Sequence, residues 1–404
     1  MSRPLLGLAA FLLVSLAVVG GMHGYLWLRL VRDPGLAEPW RRIAGVALLL
    51  LAVTVPAGLL LFRARDGWSA RVAYVAAVSW LGLAFMLFCA VATLDLARLV
   101  ARGALLALDW VRLTPDPPAD PARRLFVARA LAGGAALATA GAAAVAFRSA
   151  TGPAEIHEVP VRLERLPPAL SGFTIAQISD LHVGFTIGSR DVRRVVEQTN
   201  ALRPDLVAIT GDLVDGTVPE LGAAVAELTR LRARHGVFFV TGNHEYYSGV
   251  GPWLVELRRL GIRVLQNERV TVGDAGATFD LAGLDDWHEA SEAVGGYGAL
   301  LDRTLAGRDP ERSLVLLQHQ PRGVEEAVRA GVELQLSGHT HGGQIFPFNL
   351  LVKAFYPYLR GLYRHRAAGD AQGQIFVSRG TGYWGPPLRL AAPPEIARIV
   401  LTKA

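Results

Sequence analysis

Four long apolar stretches occupy most of the first 150 residues of this 404-residue chain, at 5–28, 43–62, 72–94 and 125–147. Each is close to the ~20 residues a helix needs to cross a bilayer. In hydrocarbon every backbone N–H and C=O must be satisfied within the protein, so stretches of this kind are restricted to helices. Residues 1–148 are therefore predicted to be an α-helical membrane domain of about four transmembrane helices. None resembles a cleaved signal peptide, because the first is long and further spans follow it. The spans carry few ionisable groups apart from His23, with Asp95 at the end of the third, so a transport path has little to run on.

The net charge of +6 raises the question of nucleic acid, and the distribution answers it. Residues 1–150 hold 15 Arg against 7 Asp plus Glu, whereas residues 151–404 hold 26 basic against 28 acidic residues. The excess belongs to the membrane half, where it signals topology; no nucleic-acid partner is expected. Arg29, Arg32, Arg41, Arg42, Arg98, Arg102, Arg112, Arg123 and Arg124 fall on one side of the spans. Arg3, Arg63, Arg65, Arg71 and Arg148 fall on the other. The richer side should be cytoplasmic, which places everything after residue 147 outside. Arg123-Arg124-Leu125-Phe126 reads either as an internal twin-arginine export signal or as ordinary flanking arginines. Both readings export the second domain across a bacterial cytoplasmic (inner) membrane. The single Cys89 allows no intramolecular disulfide.

Residues 149–170 read as a linker and first strand, and 171–404 as one soluble domain. Short runs rich in Val, Ile and Phe recur at 173–178, 206–210, 237–241, 262–265, 279–282, 314–318, 334–336, 375–378 and 396–401. Helical patterns fall between some of them, at 190–201, 220–234, 252–260 and 324–330. This alternation predicts a layered α/β domain. Five runs end directly in charged or imidazole groups: Ser179-Asp180-Leu181-His182, Gly211-Asp212-Leu213-Val214-Asp215, Gly242-Asn243-His244-Glu245, His319 and Gly338-His339-Thr340-His341. Ligands gather outside the carboxyl ends of strands in open α/β folds, so these groups are expected on one rim.

Carboxylates, an amide oxygen and imidazoles without thiolate suit Mn, Fe or Zn in a catalytic site better than a structural zinc. Asp180 and His182, two apart on an extended segment, can face one ion, and Asp212 after a glycine can bridge two. Two ions ~3.5–4 Å apart clamp the attacking and leaving oxygens of an in-line displacement. Seven candidate ligands with one shared make four per ion, too many for a single metal.

The ordered set D-x-H, G-D-x-x-D, G-N-H-E, H and G-H-x-H resembles the calcineurin-like metallophosphoesterases. Residues 338–344, the run Ser378-Arg379-Gly380-Thr381-Gly382, Arg389 and Pro394-Glu395-Ile396 resemble the bacterial branch that includes twin-arginine-exported phosphodiesterases. The resemblance covers residues 160–402. It implies a four-layer sandwich of two mixed β-sheets flanked by helices, with two divalent metal ions as cofactors. One ion would be held by Asp180, His182, Asp212 and His341, the other by Asp212, Asn243, His319 and His339. His244 would be the catalytic residue, facing the substrate. Asp215 and Glu245 would either orient ligands from behind or serve as caps.

Taken singly, Gly-Asp and Gly-Asn are common turns; five blocks in order favour the metal reading. His157, His235 and His365, like His23, lack such context and read as structural or surface residues. Asp285-Asp286-Trp287-His288 is either a capped loop or a substrate contact. Between residues 345 and 366, aromatic and apolar side chains alternate with Lys353, Arg360, Arg364 and Arg366. Such a mixture suits a membrane interface with acidic head groups, or rings packed under the domain's own core.

The function expected is hydrolysis of a phosphodiester or pyrophosphate, in an envelope or lipid-linked substrate. Gly216, standing where protein Ser/Thr phosphatases carry Arg, argues against a phosphoprotein. The absence of a further domain after the last motif argues against a secreted 5′-nucleotidase. The alternative is a membrane sensor or transporter with a regulatory phosphoesterase domain.

Overall fold

A computed structural model describes residues 3–64, 67–112, 120–274, 276–286 and 296–404. The chain divides into two compact units, Met1–Phe147 and Arg148–Ala404.

The first unit consists of helices α1 (Arg3–Trp27), α2 (Trp40–Ala64), α3 (Trp68–Arg112) and most of α4 (Pro121–Thr151). Each is long and apolar enough to cross a membrane. Their exterior is the reverse of a soluble helix: Leu49, Leu99 and Leu137 are exposed, while Leu26, Ala77, Ala84 and Ala135 are buried. Small residues let helices approach closely; a Cβ on Gly58 of α2 would strike the Ala73 carbonyl and Ala77 of α3. A π-turn, Leu28–Arg32, extends α1 beyond the predicted span. There Asp95, in the middle of α3, accepts a hydrogen bond from Tyr25 Oη (2.6 Å) and pairs with Arg29 Nε (2.7 Å), so its charge is neutralised locally. His23 Nε2 accepts the indole N–H of Trp80 at 2.8 Å, the satisfied structural histidine the sequence suggested.

The second unit contains β1 (Glu155–Leu163), β2 (Phe173–Ile178), α5 (Ser189–Ala201), β3 (Leu206–Thr210), α6 (Val218–Val225), β4 (Val237–Val240), α7 (Asn243–Tyr247), α8 (Val250–Arg259), β5 (Arg263–Val264), β6 (Glu268–Asp274) and β7 (Ala277–Gly283). It continues with α9 (Gly296–Leu305), β8 (Leu314–Leu317), α10 (Val324–Arg329), β9 (Leu334–Ser337), α11 (Phe348–Phe355), β10 (Gly361–Arg366), β11 (Gln372–Val377) and β12 (Glu395–Lys403). Two six-stranded mixed sheets form, ordered β1-β12-β2-β3-β4-β5 and β10-β11-β9-β8-β7-β6.

Alternation along the strands builds four layers. Ile175, Leu206, Ala208 and Val240 meet Phe279, Leu281, Val315 and Leu336 between the sheets. Ala176, Val207 and Ile209 point the other way, under α5, α6 and α8 through Val192, Val195, Leu221 and Trp253. On the far side α9 and α10 cover the second sheet. Strands buried on both faces read as continuous apolar runs, which is why β2 and β3 match their predicted limits. Within residues 149–170, read as a linker and first strand, the strand is β1, paired in parallel with β12. It is an edge strand with an exposed first half and an internal Pro160, a residue edges tolerate.

Candidate metal centre

The polar residues that end β2, β3, β4, β8 and β9 converge, and their backbones turn sharply to do so. Asp180, His182, Asp212, His339 and His341 all have φ between 50° and 71°. For residues with a Cβ this left-handed conformation costs on the order of 1–3 kcal/mol each, and it persists where surrounding structure imposes it. Part of that structure is glycine: a Cβ at Gly338 would collide with Ser179 and the Asp180 carboxylate, and one at Gly242 with Asp212.

Two clusters result. In one, His182 Nε2 lies 3.1 Å from His341 Nε2, and His341 Nε2 lies 3.5 Å from Asp180 Oδ1. In the other, His319 Nε2 lies 3.0 Å from Asp212 Oδ2 and 3.2 Å from His339 Nδ1. Asp212 stands between them, its Oδ2 also 3.9 Å from His182 Nε2. Asn243 Oδ1 is buried and, among the described residues, has no hydrogen-bond partner. A buried acceptor left open is costly unless something electropositive completes it. These donors fit divalent cations in two adjoining positions.

The outer ring nitrogens decide which lone pairs face inward. His182 Nδ1 bonds Asp215 Oδ1 at 3.0 Å, His319 Nδ1 bonds the Thr210 carbonyl at 2.8 Å, and His339 Nε2 bonds Tyr356 Oη at 2.8 Å. With the outer N–H donated, the inner nitrogen of a neutral ring presents its lone pair. At His341 the neighbour is Arg389 Nη2, 2.9 Å from Nδ1, and a guanidinium has only donors. His341 Nδ1 therefore accepts, and its proton lies on Nε2 toward His182, a proton that Nε2 must give up before His341 can serve a cation as a ligand.

Asp215 and Glu245 brace the clustered residues from behind. Asp215 Oδ1 bonds both His182 and His244 Nδ1, the latter at 2.6 Å. Burial opposes its ionisation, yet charge and hydrogen bonds from those two imidazoles hold its carboxyl well below the usual range. The fully buried Glu245 accepts the backbone N–H of Gly242, Asp212, Leu213 and Val214 at 2.6–3.2 Å, locking the β3 and β4 loops together. Burial and the Asp212 charge push it up to about 8, while those N–H groups pull the other way. Burial disfavours a charged His244, but the Asp215 hydrogen bond and the Asp212 and Asp215 charges raise it to about 9. His339 is lowered to about 3 by burial and by His319, and His341 is lowered well below its ordinary value by burial and by Arg389. His319 is raised well above its ordinary value, Asp212 and its hydrogen bond outweighing burial.

His157, His235 and His365 stay outside these clusters. Asp285 accepts from Thr241 and Asn267, pinning a loop, while Trp287 and His288 lie outside the described residues. Tyr356 was singled out only as part of an aromatic stretch; its contact with His339 required the fold.

The sequence profile of the calcineurin-like phosphoesterases matches residues 173–343. The chain belongs to this metallophosphoesterase family. It is 33% identical over 421 residues to a Danio rerio protein described as a transmembrane protein with metallophosphoesterase domain, covering 100% of this chain and 91% of that one. It is 40% identical over 248 residues to an uncharacterized metallophosphoesterase of Helicobacter pylori, covering 61% of this chain and 64% of that protein. The fold is also similar to a solved dimetal phosphatase from Danio rerio, at 16% identity and a TM-score of 0.33, covering 52% of this chain and 88% of that one.

Proposed function

We propose that this membrane protein hydrolyses a phosphodiester or pyrophosphate bond in an envelope or lipid-linked substrate. The observation that carries the reading is Asp212 standing between two imidazole clusters, beside the open Asn243 Oδ1. Asp180, His182, Asp212 and His341 would hold one divalent ion, and Asp212, Asn243, His319 and His339 the other, as Mn, Fe or Zn. When bound, the pair supplies Lewis acidity toward the phosphoryl oxygens and brings the pKa of water toward neutrality.

His244 supplies the proton. Its Nδ1 is held by Asp215, and its Nε2 lies 4.0 Å from Asp212 Oδ2, at the clusters but outside both. As water adds to phosphorus and the bond to the leaving oxygen breaks, the Nε2 proton passes to that oxygen, and the proton released by the water restores the imidazolium. Raised to about 9, the imidazole carries this proton at neutral pH. The Asp215 contact fixes the ring, and Glu245 fixes the loops that carry Asp212 and Asn243.

Four apolar helices and a full-length match to a protein described as transmembrane support the membrane reading. The arginine distribution supports a catalytic unit outside the bacterial inner membrane. The full chain, purified with Mn²⁺, should hydrolyse a bis-aryl phosphate faster than an aryl monophosphate, and a lipid pyrophosphate is the third substrate to compare. Asp212→Ala should abolish turnover and lower bound metal; activity surviving in that variant sinks the shared-ligand assignment.

A further inference from the structure

Residues 344–366 contain Lys353, Arg360, Arg364 and Arg366 and no carboxylate. Within them α11 is turned inside out. A surface helix normally directs its apolar stripe at the core. In α11, Asn349 and Val352 form the partly buried side with Tyr356 just beyond the helix, and no residue of the helix is fully buried. Phe348, Leu351 and Phe355 recur at the same spacing on the outer side. Exposure is 50% at Phe346, 61% at Leu350, 53% at Leu351 and 72% at Phe355. The rings of Phe346, Phe348 and Phe355 therefore do not pack under the core, whereas those of Tyr358 and Tyr363 pack against it, so the two alternatives left open by the sequence divide along the stretch. Tyr356, one residue beyond the helix, carries the hydroxyl bonded to His339, so this surface is wired to the metal centre.

We propose that α11 and the turn before it dock into the surface of an anionic lipid bilayer, so that the centre acts on phosphoesters borne by membrane lipids. Charge complementarity selects this occupant: apolar side chains flanked by cations, without carboxylates, match acyl chains beneath acidic head groups. A tether adds to it. The last apolar helix ends at Thr151 and β1 begins at Glu155, so the α/β unit is linked covalently to a membrane segment at high effective concentration. The choice of substrate rests on the hydrolase reading above; the docking does not.

The test uses the full chain in nanodiscs, with Cys89→Ser and a nitroxide on Leu351→Cys, and a control label on Val255→Cys, which is exposed on α8. In phosphatidylglycerol discs the 351 label should collide preferentially with oxygen, and the 255 label with a water-soluble nickel chelate. In phosphatidylcholine discs the preference at 351 should weaken. Lys353→Glu with Arg364→Glu should return the 351 label to water and lower hydrolysis of a disc-embedded phosphodiester about fivefold or more, electrostatic attraction having become repulsion. Hydrolysis of a soluble bis-aryl phosphate should stay within about twofold, because neither side chain touches the centre. Nickel-accessible label at 351 in phosphatidylglycerol overturns the docking. So does a label shielded from both quenchers, which marks a protein or a second copy on the patch. If docking fails while soluble turnover persists, the hydrolase reading stands; if the wild type has no soluble turnover while the 351 label is lipid-immersed, only that reading falls.

Discussion

The two halves of the centre use the same kinds of ligand but are held by different kinds of neighbour. Behind His182 and His341 stand charged groups, Asp215 and Arg389. Behind His319 and His339 stand a backbone carbonyl and a tyrosine hydroxyl. In the proposed mechanism the first half is thereby tied to catalysis, because the Asp215 that orients His182 also holds His244. The second is tied through Tyr356 to the exposed cationic surface. Outer partners fix ring orientation and ligand basicity, so disturbing each half should leave a different signature: rate in the first, affinity alone in the second.

Among changes that spare the shared Asp212, the largest effect should come from a residue belonging to neither half. His244→Asn should lower kcat by about 10²–10⁴-fold, the usual contribution of a positioned proton donor, without changing metal content measured by elemental analysis. Lost metal would move His244 into a half-site. The same imidazole sets a pH signature. Its value near 9 means that the protonated donor is present below that pH and is lost as pH rises through it. The wild type should therefore show a falling alkaline limb in kcat that His244→Asn lacks.

Next comes the direct contrast between halves. Asp215→Asn should weaken one metal position by about 10–100-fold and leave kcat depressed even at saturating Mn²⁺, since His244 loses its anchor too. Tyr356→Phe should weaken the other position by about tenfold or less, with kcat recovering when metal is added. If both variants recover alike, the halves are not differently coupled to catalysis.

Much of this was legible in the chain, for identifiable reasons. Residues 173–178 and 206–210 are buried on both faces, so their apolar runs stand out without context. β1 and β10 are edge strands with exposed polar positions, and nothing local separates them from loop. The residues that cluster here were readable as types in order, but not their left-handed turns, because φ depends on close approaches such as that of Gly338 to Ser179 and Asp180. Glu245 looked like the tail of a motif; its four N–H partners come from two loops some 30 residues apart in sequence. Residues 345–366 were legible in chemistry and not in direction, since the apolar stripe of a surface helix normally points at the core and that of α11 points outward.

Arg389 offers the smallest effect and the finest test, because its two consequences have opposite sign. It is buried, and burial lowers it to about 10, so it remains a cation at neutral pH. It donates to the carbonyls of Gly382, Arg379, Ala392 and His341, and to His341 Nδ1. Shortening it to Gln in Arg389→Gln strands some of those carbonyls, at about 1–3 kcal/mol for each left unsatisfied, and should lower the Tm of protein stripped with chelator. The amide oxygen of Gln can accept from Nδ1–H, which the guanidinium cannot. The proton on His341 Nε2 would then be free to move outward, and metal should bind the first half more tightly, by somewhat less than tenfold. Ligand binding raises stability in proportion to the logarithm of ligand concentration over Kd, so thermal unfolding reports both effects: a lower starting Tm and a larger gain on adding Mn²⁺. A smaller gain than the wild type's would mean that Arg389 serves His341 as a ligand by holding it in place, and that a charged neighbour strengthens that half of the centre.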